Sequence, residues 1–349
     1  MKIEKIILLF ILSALILTGS VYSQETITIK IGTISPERTP WHKALNRISS
    51  DWTKITGGKV RLRIFAGGIA GNEVEIVEKM RSGKLGGAAL TLEGISSIYR
   101  DVNLFYTPLL FTDDEEFNYV FDKLKEFFEK EIEKKGFKMI CWSSYGWVRF
   151  FSKNPVFYPE DLQDHKLSIT TENPGMVEAA KNAGFDPVPI DFNDLMMNLQ
   201  SGKVTAFYHS PIIAAAGQYY NLAPNMCSLL VGPGIGVLFI SKTTWENIPD
   251  QYEKQMIEAA KKINNDLSKE IGELEEEAIK EMEEYDLIVN RLPADAQKKW
   301  QSTLDKFING LIKGKVFSKE VYKRVQKHKD EYRKEKGNKV PAPRARRRQ

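Results

Sequence analysis

Apolar and polar residues alternate through ITIKIG (27–32), where Ile27, Ile29 and Ile31 share one side at the two-residue period of a strand. The period then lengthens: Trp41, Ala44, Leu45, Ile48, Trp52 and Ile55 recur as one helix face until TGG (56–58) stops them. Alternation returns in KVRLRIF through Val60, Leu62 and Ile64, so the first forty residues of this stretch read as a β-α-β unit, the building block of a parallel sheet. A helix over Asn72 to Arg81 with Gly83 after it, a strand GGAALTL (86–92), a helix opened by the capping box Thr112-Asp113-Asp114-Glu115 and a strand FKMICW (137–142) continue the pattern. From residue 143 the same order restarts, with strand HKLSI, helix PGMVEAAKNAG, strand DPVPI, helix DFNDLMMNLQSG and strand KVTAFY. The chain is therefore an α/β protein of two successive halves.

Pro249 to Val289 breaks this rhythm. It holds one glycine and no further proline, and predicts a single helix of roughly 35 residues, about 50 Å long. A coiled coil is the rival reading, but the heptad through Met256, Ala260, Ile263, Leu267 and Ile271 has polar gaps, which suits a strut laid across both halves.

Composition adds a compartment. Lys2 and Lys5 precede the apolar run IILLFILSALIL (6–17), which has the length of a signal-peptide core and is shorter than a membrane span, and Val21 and Ser23 sit where a leader peptidase would read. Residues 1–23 are read as a cleaved secretory leader and the mature protein as periplasmic. The net charge of +4 hides unlike parts: Tyr322 to Gln349 carries twelve Lys or Arg against three acids, leaving about −6 on residues 24–321. An acidic body argues against nucleic acid as a partner. Residues 326–349 read as a basic disordered tail. Cys141 and Cys227 lie in apolar runs and read as free buried thiols, and no His or Cys pair has metal-ligand spacing.

No phosphate loop, nucleophile elbow, zincin motif or clustered catalytic acids appears, and no cofactor is implied. GPGIG (232–236) precedes an apolar run rather than a helix start and reads as a glycine-rich crossover. What stands out is a set of residues at element ends, Trp41, Glu93, Trp147, Arg149, Phe192, Phe207, Tyr208 and His209, of the kind a concave small-molecule site uses. HKLSITTENP (165–174) ends a strand where a helix begins, yet it offers only Ser168, Thr170 and Thr171, with no cation to hold an acid.

The ordered series GKVRLRIFAGGIAGNEVEIVEKMRSGKLGGAALTLEGIS, LLFTDDEEF, GWVRFFSKNPVFYPEDLQDHKLSI, GFDPVPIDFNDLMMNLQSGKVTAFYHSP and WENIPDQYEKQMIEAAKK resembles the solute-binding subunits of tripartite ATP-independent periplasmic (TRAP) transporters, in the C4-dicarboxylate-binding class. The match runs from about residue 26 to 325. The resemblance implies a two-lobed periplasmic-binding-protein fold, with lobe I at 24–146 and 235–274, lobe II at 147–234 and 275–325, a ligand cleft between them and one long helix spanning both. It implies a receptor, not an enzyme, that passes a small solute to membrane permease subunits. In typical members the strand after PEDL reads K-x-R-x-P, and its arginine grips the substrate carboxylate. Here Lys166, Leu167, Ser168, Ile169 and Thr170 stand there, so Ser168 replaces that arginine. Glu93, Arg149 and Phe192 match pocket positions, and His209 falls near a ligand-contacting asparagine. The lost charge points to an uncharged or apolar solute; an organic acid held by Arg149 is the alternative. Arginine-lacking relatives also suggest a tetratricopeptide-repeat periplasmic protein as a partner. Two other classes compete, a secreted hydrolase and a non-transport interaction protein. The hydrolase would need chemistry from Glu93, His209 and Ser168, which lie in distant segments.

Overall fold

The alternating stretches form strands and the 3.6-period stretches form helices. The computed structural model describes residues 26–171 and 173–336; the expected leader 1–23 lies outside them. In chain order the elements are β1 (Ile27–Gly32), α1 (Pro40–Ile55), β2 (Val60–Phe65), α2 (Glu73–Arg81), β3 (Gly87–Thr91), α3 (Leu92–Ser96), α4 (Asp114–Glu133) and β4 (Phe137–Ser152). There follow α5 (Pro159–Gln163), β5 (Lys166–Thr170), α6 (Pro174–Asn182), β6 (Asp186–Ile190), α7 (Leu195–Gln200), β7 (Ala206–His209), α8 (Pro211–Ala216), β8 (Asn225–Cys227) and β9 (Gly232–Ser241). The chain closes with α9 (Lys242–Trp245), α10 (Asp250–Glu284), β10 (Ile288–Asn290), α11 (Ala296–Lys313) and α12 (Lys319–Glu335).

β1 pairs in parallel with β2 and β3, and β5 pairs in parallel with β6 and β7, so each half contributes its own parallel ladder. β4 and β9 run antiparallel to one another and stitch the ladders into the path β2-β1-β3-β9-β4-β7-β5-β6. One sequence expectation changes here. The strand begun by FKMICW does not stop at 142 but crosses from one half to the other as far as Ser152, with an irregularity between Ser144 and Gly146. The glycine-rich crossover GPGIG is the start of β9, paired with β4, and its Gly234 lies so close to the Tyr145 ring that a Cβ there would overlap it.

Caps fix the helix starts. Thr39 accepts from the His42 N–H ahead of Pro40, and Asn72 and Glu75 form a reciprocal capping box on α2. On α4 the cap is Asp113, which accepts from the Glu116 N–H at 2.9 Å, one residue later than the box expected at Thr112. The 35-residue α10 is the strut its pattern predicts. Its first turns pack on α1, where the Trp52 indole donates to the Met256 carbonyl at 2.8 Å, and Met282 near its end lies in the same core as Phe151 and Phe207.

The tail expected from residue 326 is helical as far as Glu335. α12 returns to the first half and packs on α4, burying Val321, Val325 and Tyr332. The physical reason is an apolar stripe at i, i+4 and i+11 that a count of charges conceals. Residues 337–349 lie outside the described residues. Both cysteines are buried and free; burial pushes the Cys141 thiol up to about 12 and the Cys227 thiol up to about 11, so neither is a nucleophile.

Candidate functional site

A cleft of about 1210 Å³, counted out to its open mouth, lies where β3 and β7 end and β4 and β9 cross between the halves. A second hollow of about 740 Å³ adjoins it and shares Ile34, Thr91, Tyr145, Phe192 and His209 with it. The boundary between the two is aromatic. Tyr145 stands edge-on to Trp41 with ring centroids 6.4 Å apart, and His209 lies 5.6 Å from Tyr145 and 5.2 Å from Phe192. Trp41 comes from α1, Tyr145 from the crossing strand β4, Phe192 from the turn after β6 and His209 from the end of β7, so both halves build this one cluster.

The polar groups of the cleft are held by a relay from one buried acid. Glu73 on α2 is 2 % exposed and accepts from the Thr91 N–H (2.9 Å), the Thr91 hydroxyl (2.9 Å) and the Gly94 N–H (2.6 Å). This pins the turn that carries Glu93. The Tyr106 hydroxyl donates to Thr91 Oγ1 at 2.9 Å and accepts from the Glu93 N–H at 3.1 Å. Burial, with the Glu93 charge as a lesser cause, pushes the hydroxyls of Tyr106, Tyr145 and Tyr208 well above the ordinary tyrosine value, so all three remain neutral donors and acceptors. Burial drives His209 the other way, down to about 4, and it is a neutral imidazole at neutral pH. Its Nδ1 accepts from the Ser210 N–H at 2.9 Å, which leaves the ring proton on Nε2 and makes His209 a donor.

Of the residues named from the sequence, Glu93, Ser168, Phe192, Tyr208 and His209 line the larger cleft, and Trp41 lines the adjoining hollow. Four others do not line either. Trp147 turns its indole to Asp114 Oδ1 at 2.7 Å, and its backbone N–H donates to Glu275 Oε1 at 2.8 Å. Arg149 stands across from His209 in the β4–β7 pair, but Nη1 donates to the Ser228 carbonyl at 3.0 Å. Phe207 is 1 % exposed and stacks on Phe151 in the core behind the sheet. Thr171 is exposed, and its neighbour Thr170 takes the cleft position. Val148 and Phe150 of β4 and Tyr208 of β7 face the cleft while their strand neighbours Trp147, Arg149 and Phe207 do not; His209, at the end of β7, lines it as well.

Tyr106, Tyr145 and the positioning residue Glu73 were not singled out from sequence. Tyr145 lies at the β4 irregularity between Ser144 and Gly146, which no sequence period marks. Tyr106 and Glu73 carried no signal either, because their roles arise from contacts across fifteen or more residues.

Comparison with known proteins finds the same fold among solute receptors. The structure of a TRAP periplasmic solute-binding protein from Desulfovibrio salexigens with bound orotic acid superposes with a TM-score of 0.80 at 17 % identity, covering 88 % of this chain and 99 % of that one. A sugar acid binding protein from Advenella mimigardefordensis, in complex with galactonate, gives a TM-score of 0.80 at 18 % identity over 88 % of this chain and 99 % of that one. By sequence, the 2,3-diketo-L-gulonate-binding periplasmic protein of Escherichia coli K12 is 20 % identical over 269 residues, 76 % of this chain and 81 % of the relative. The fold is that of two-lobed solute receptors rather than of an enzyme. The model of the bacterial extracellular solute-binding protein family 7 matches residues 31–314, and the chain belongs to that extracytoplasmic family.

Proposed function

We propose that this protein is the receptor of a TRAP transporter for an uncharged organic solute with an apolar body and one or two hydroxyl or carbonyl groups. Lobe I (24–146, 235–274) and lobe II (147–234, 275–325) close around the solute, and the loaded protein docks on the permease after export by the cleaved leader. One observation carries the choice of ligand. Among the described residues, neither hollow is lined by a lysine or arginine, and the only charged lining residue is Glu93. A carboxylate solute would be buried beside a second carboxylate with no cation to meet it, which costs several kcal/mol. The His209 Nε2–H and the neutral tyrosine hydroxyls instead suit a carbonyl or hydroxyl. The relatives named above bind acids, and the position where a family arginine is expected holds Ser168, 8 % exposed in the cleft wall.

The organic-acid reading needs Arg149, which lines neither hollow and whose Nη1 donates to the Ser228 carbonyl. Calorimetric titration of the wild type with neutral alcohols and amides and with their matched carboxylates separates the readings; tight carboxylate binding overturns ours. Arg149→Ala is expected to change affinity for a neutral solute less than about threefold. Ser168→Arg is expected to weaken neutral solutes and to introduce carboxylate binding, by about 2–5 kcal/mol for a desolvated pair.

A further inference from the structure

We infer that the cleft continues past Ser168 into an apolar subsite between β5, α6 and α11 that takes the hydrocarbon tail of the solute. The inference rests on the receptor reading above and adds the shape of its ligand: a linear amphiphile, with its polar head among Glu93, the tyrosines and His209. The same cavity that meets Glu93 and Tyr106 is also lined by Met176, Ala180, Phe185, Leu304 and Phe307, which lie inside the second half. Met176 and Ala180 are one turn apart on α6, and Leu304 and Phe307 are one turn apart on α11, so two helix faces confront each other.

Two observations and one principle make this an arm rather than a packing defect. α6 and α11 are in contact where a Cβ on Gly310 would sit 3.4 Å from the Ala179 Cα, whereas the next residue, Ala180, lines the cavity. β5 and β7 pair only at Leu167 with Ala206, and beyond that pair both strands line the cavity, so the sheet parts there. Interiors are packed nearly as densely as organic crystals and an apolar void costs stability in proportion to its volume, so a hydrocarbon tail that fills the arm recovers that cost. The side chain at 168 stands in the wall of this cavity; serine leaves a passage that an arginine would occupy.

The test uses the full mature protein with 1-alkanols of four to eight carbons and the matching alkanoates, followed by calorimetry and native mass spectrometry. At one site per chain, affinity is expected to rise about fourfold per methylene until the arm is full and then to level off. Ala180→Phe should erase the chain-length dependence while retaining the shortest alcohol, which also reports an intact fold. Leu304→Ala, a variant that lengthens the arm, should move the plateau to longer chains. Absence of a chain-length dependence in the wild type, or its survival in folded Ala180→Phe, overturns the subsite. If Ala180→Phe does not fold, an unchanged plateau in Leu304→Ala does so. Alkanoates that bind as tightly as alcohols with the same slope would leave the tail subsite standing and overturn the uncharged head.

Discussion

His209 and Glu275 stand on opposite sides of the proton balance. Burial holds His209 at about 4 instead of 6.5, so between these values the unfolded chain takes up a proton that the folded chain refuses, and stability is lost as pH falls. Burial holds Glu275 at about 7 instead of 4.5, against the opposing pull of Arg149 and of the Trp147 N–H, so the folded chain keeps a proton that the unfolded chain releases and stability is lost as pH rises. Each is worth about 3 kcal/mol, and over pH 4.5–6.5 the two nearly cancel. Urea unfolding at half-unit pH steps should therefore show a rising slope in Glu275→Gln and a falling one in His209→Asn. Parallel profiles for wild type and both variants would refute the assignment. For transport, the neutral His209 means that binding of an uncharged solute is expected to be flat from pH 5.5 to 8.

At the scale of elements, α12 tests how far the fold extends. Val321 and Val325 are 2 % and 0 % exposed against α4, Tyr119 and Tyr332 pack with centroids 5.4 Å apart, and Arg333 donates to Glu116 at 2.8 Å. Lys329 donates to the Leu110 carbonyl, and burial lowers it to about 8, so this helix includes a cation that pays for its desolvation. Val325→Asp should lower the free energy of unfolding by about 3 kcal/mol, read as a shift of the urea midpoint at unchanged slope. If α12 were only a solvated end, the midpoint would not move. The β4 irregularity is a second element of this kind: Gly146 has φ of +88°, and a Cβ there would meet the Glu275 carboxylate, so the crossing strand requires glycine.

For the whole molecule, β4 and β9 are the crossing strands and α10 packs along β4 and α1; the receptor proposed above closes by rotating its two halves about these crossings. In that proposal a solute that touches Tyr106 on one side and Ser168 and His209 on the other binds the closed form more tightly than the open one, and the difference drives closure. Saturating alcohol should shrink the radius of gyration in solution scattering. At a hundredfold excess over Kd it should also add about 2.7 kcal/mol to stability. Stabilisation without compaction would show binding to a rigid cleft and sink the closing motion.

The sequence alone determined the local elements and their order, because apolar period, caps and glycine stops act within a few residues: β1, α1, β2 and the 35-residue α10 were all legible. It also displayed the candidates Glu93, Phe192, Tyr208 and His209, since polar and aromatic residues at strand ends are visible in one dimension. Only the tertiary structure decided which side each strand residue faces, and so turned Trp147, Arg149 and Phe207 away from the cleft while bringing in Tyr106 and Tyr145. It alone decided that residues 326–335 fold onto α4, that Glu73 holds the Glu93 turn, and that β5 and β7 part beyond Leu167. Those outcomes depend on contacts between residues far apart in the chain, whose closure entropy is met only when the whole core assembles.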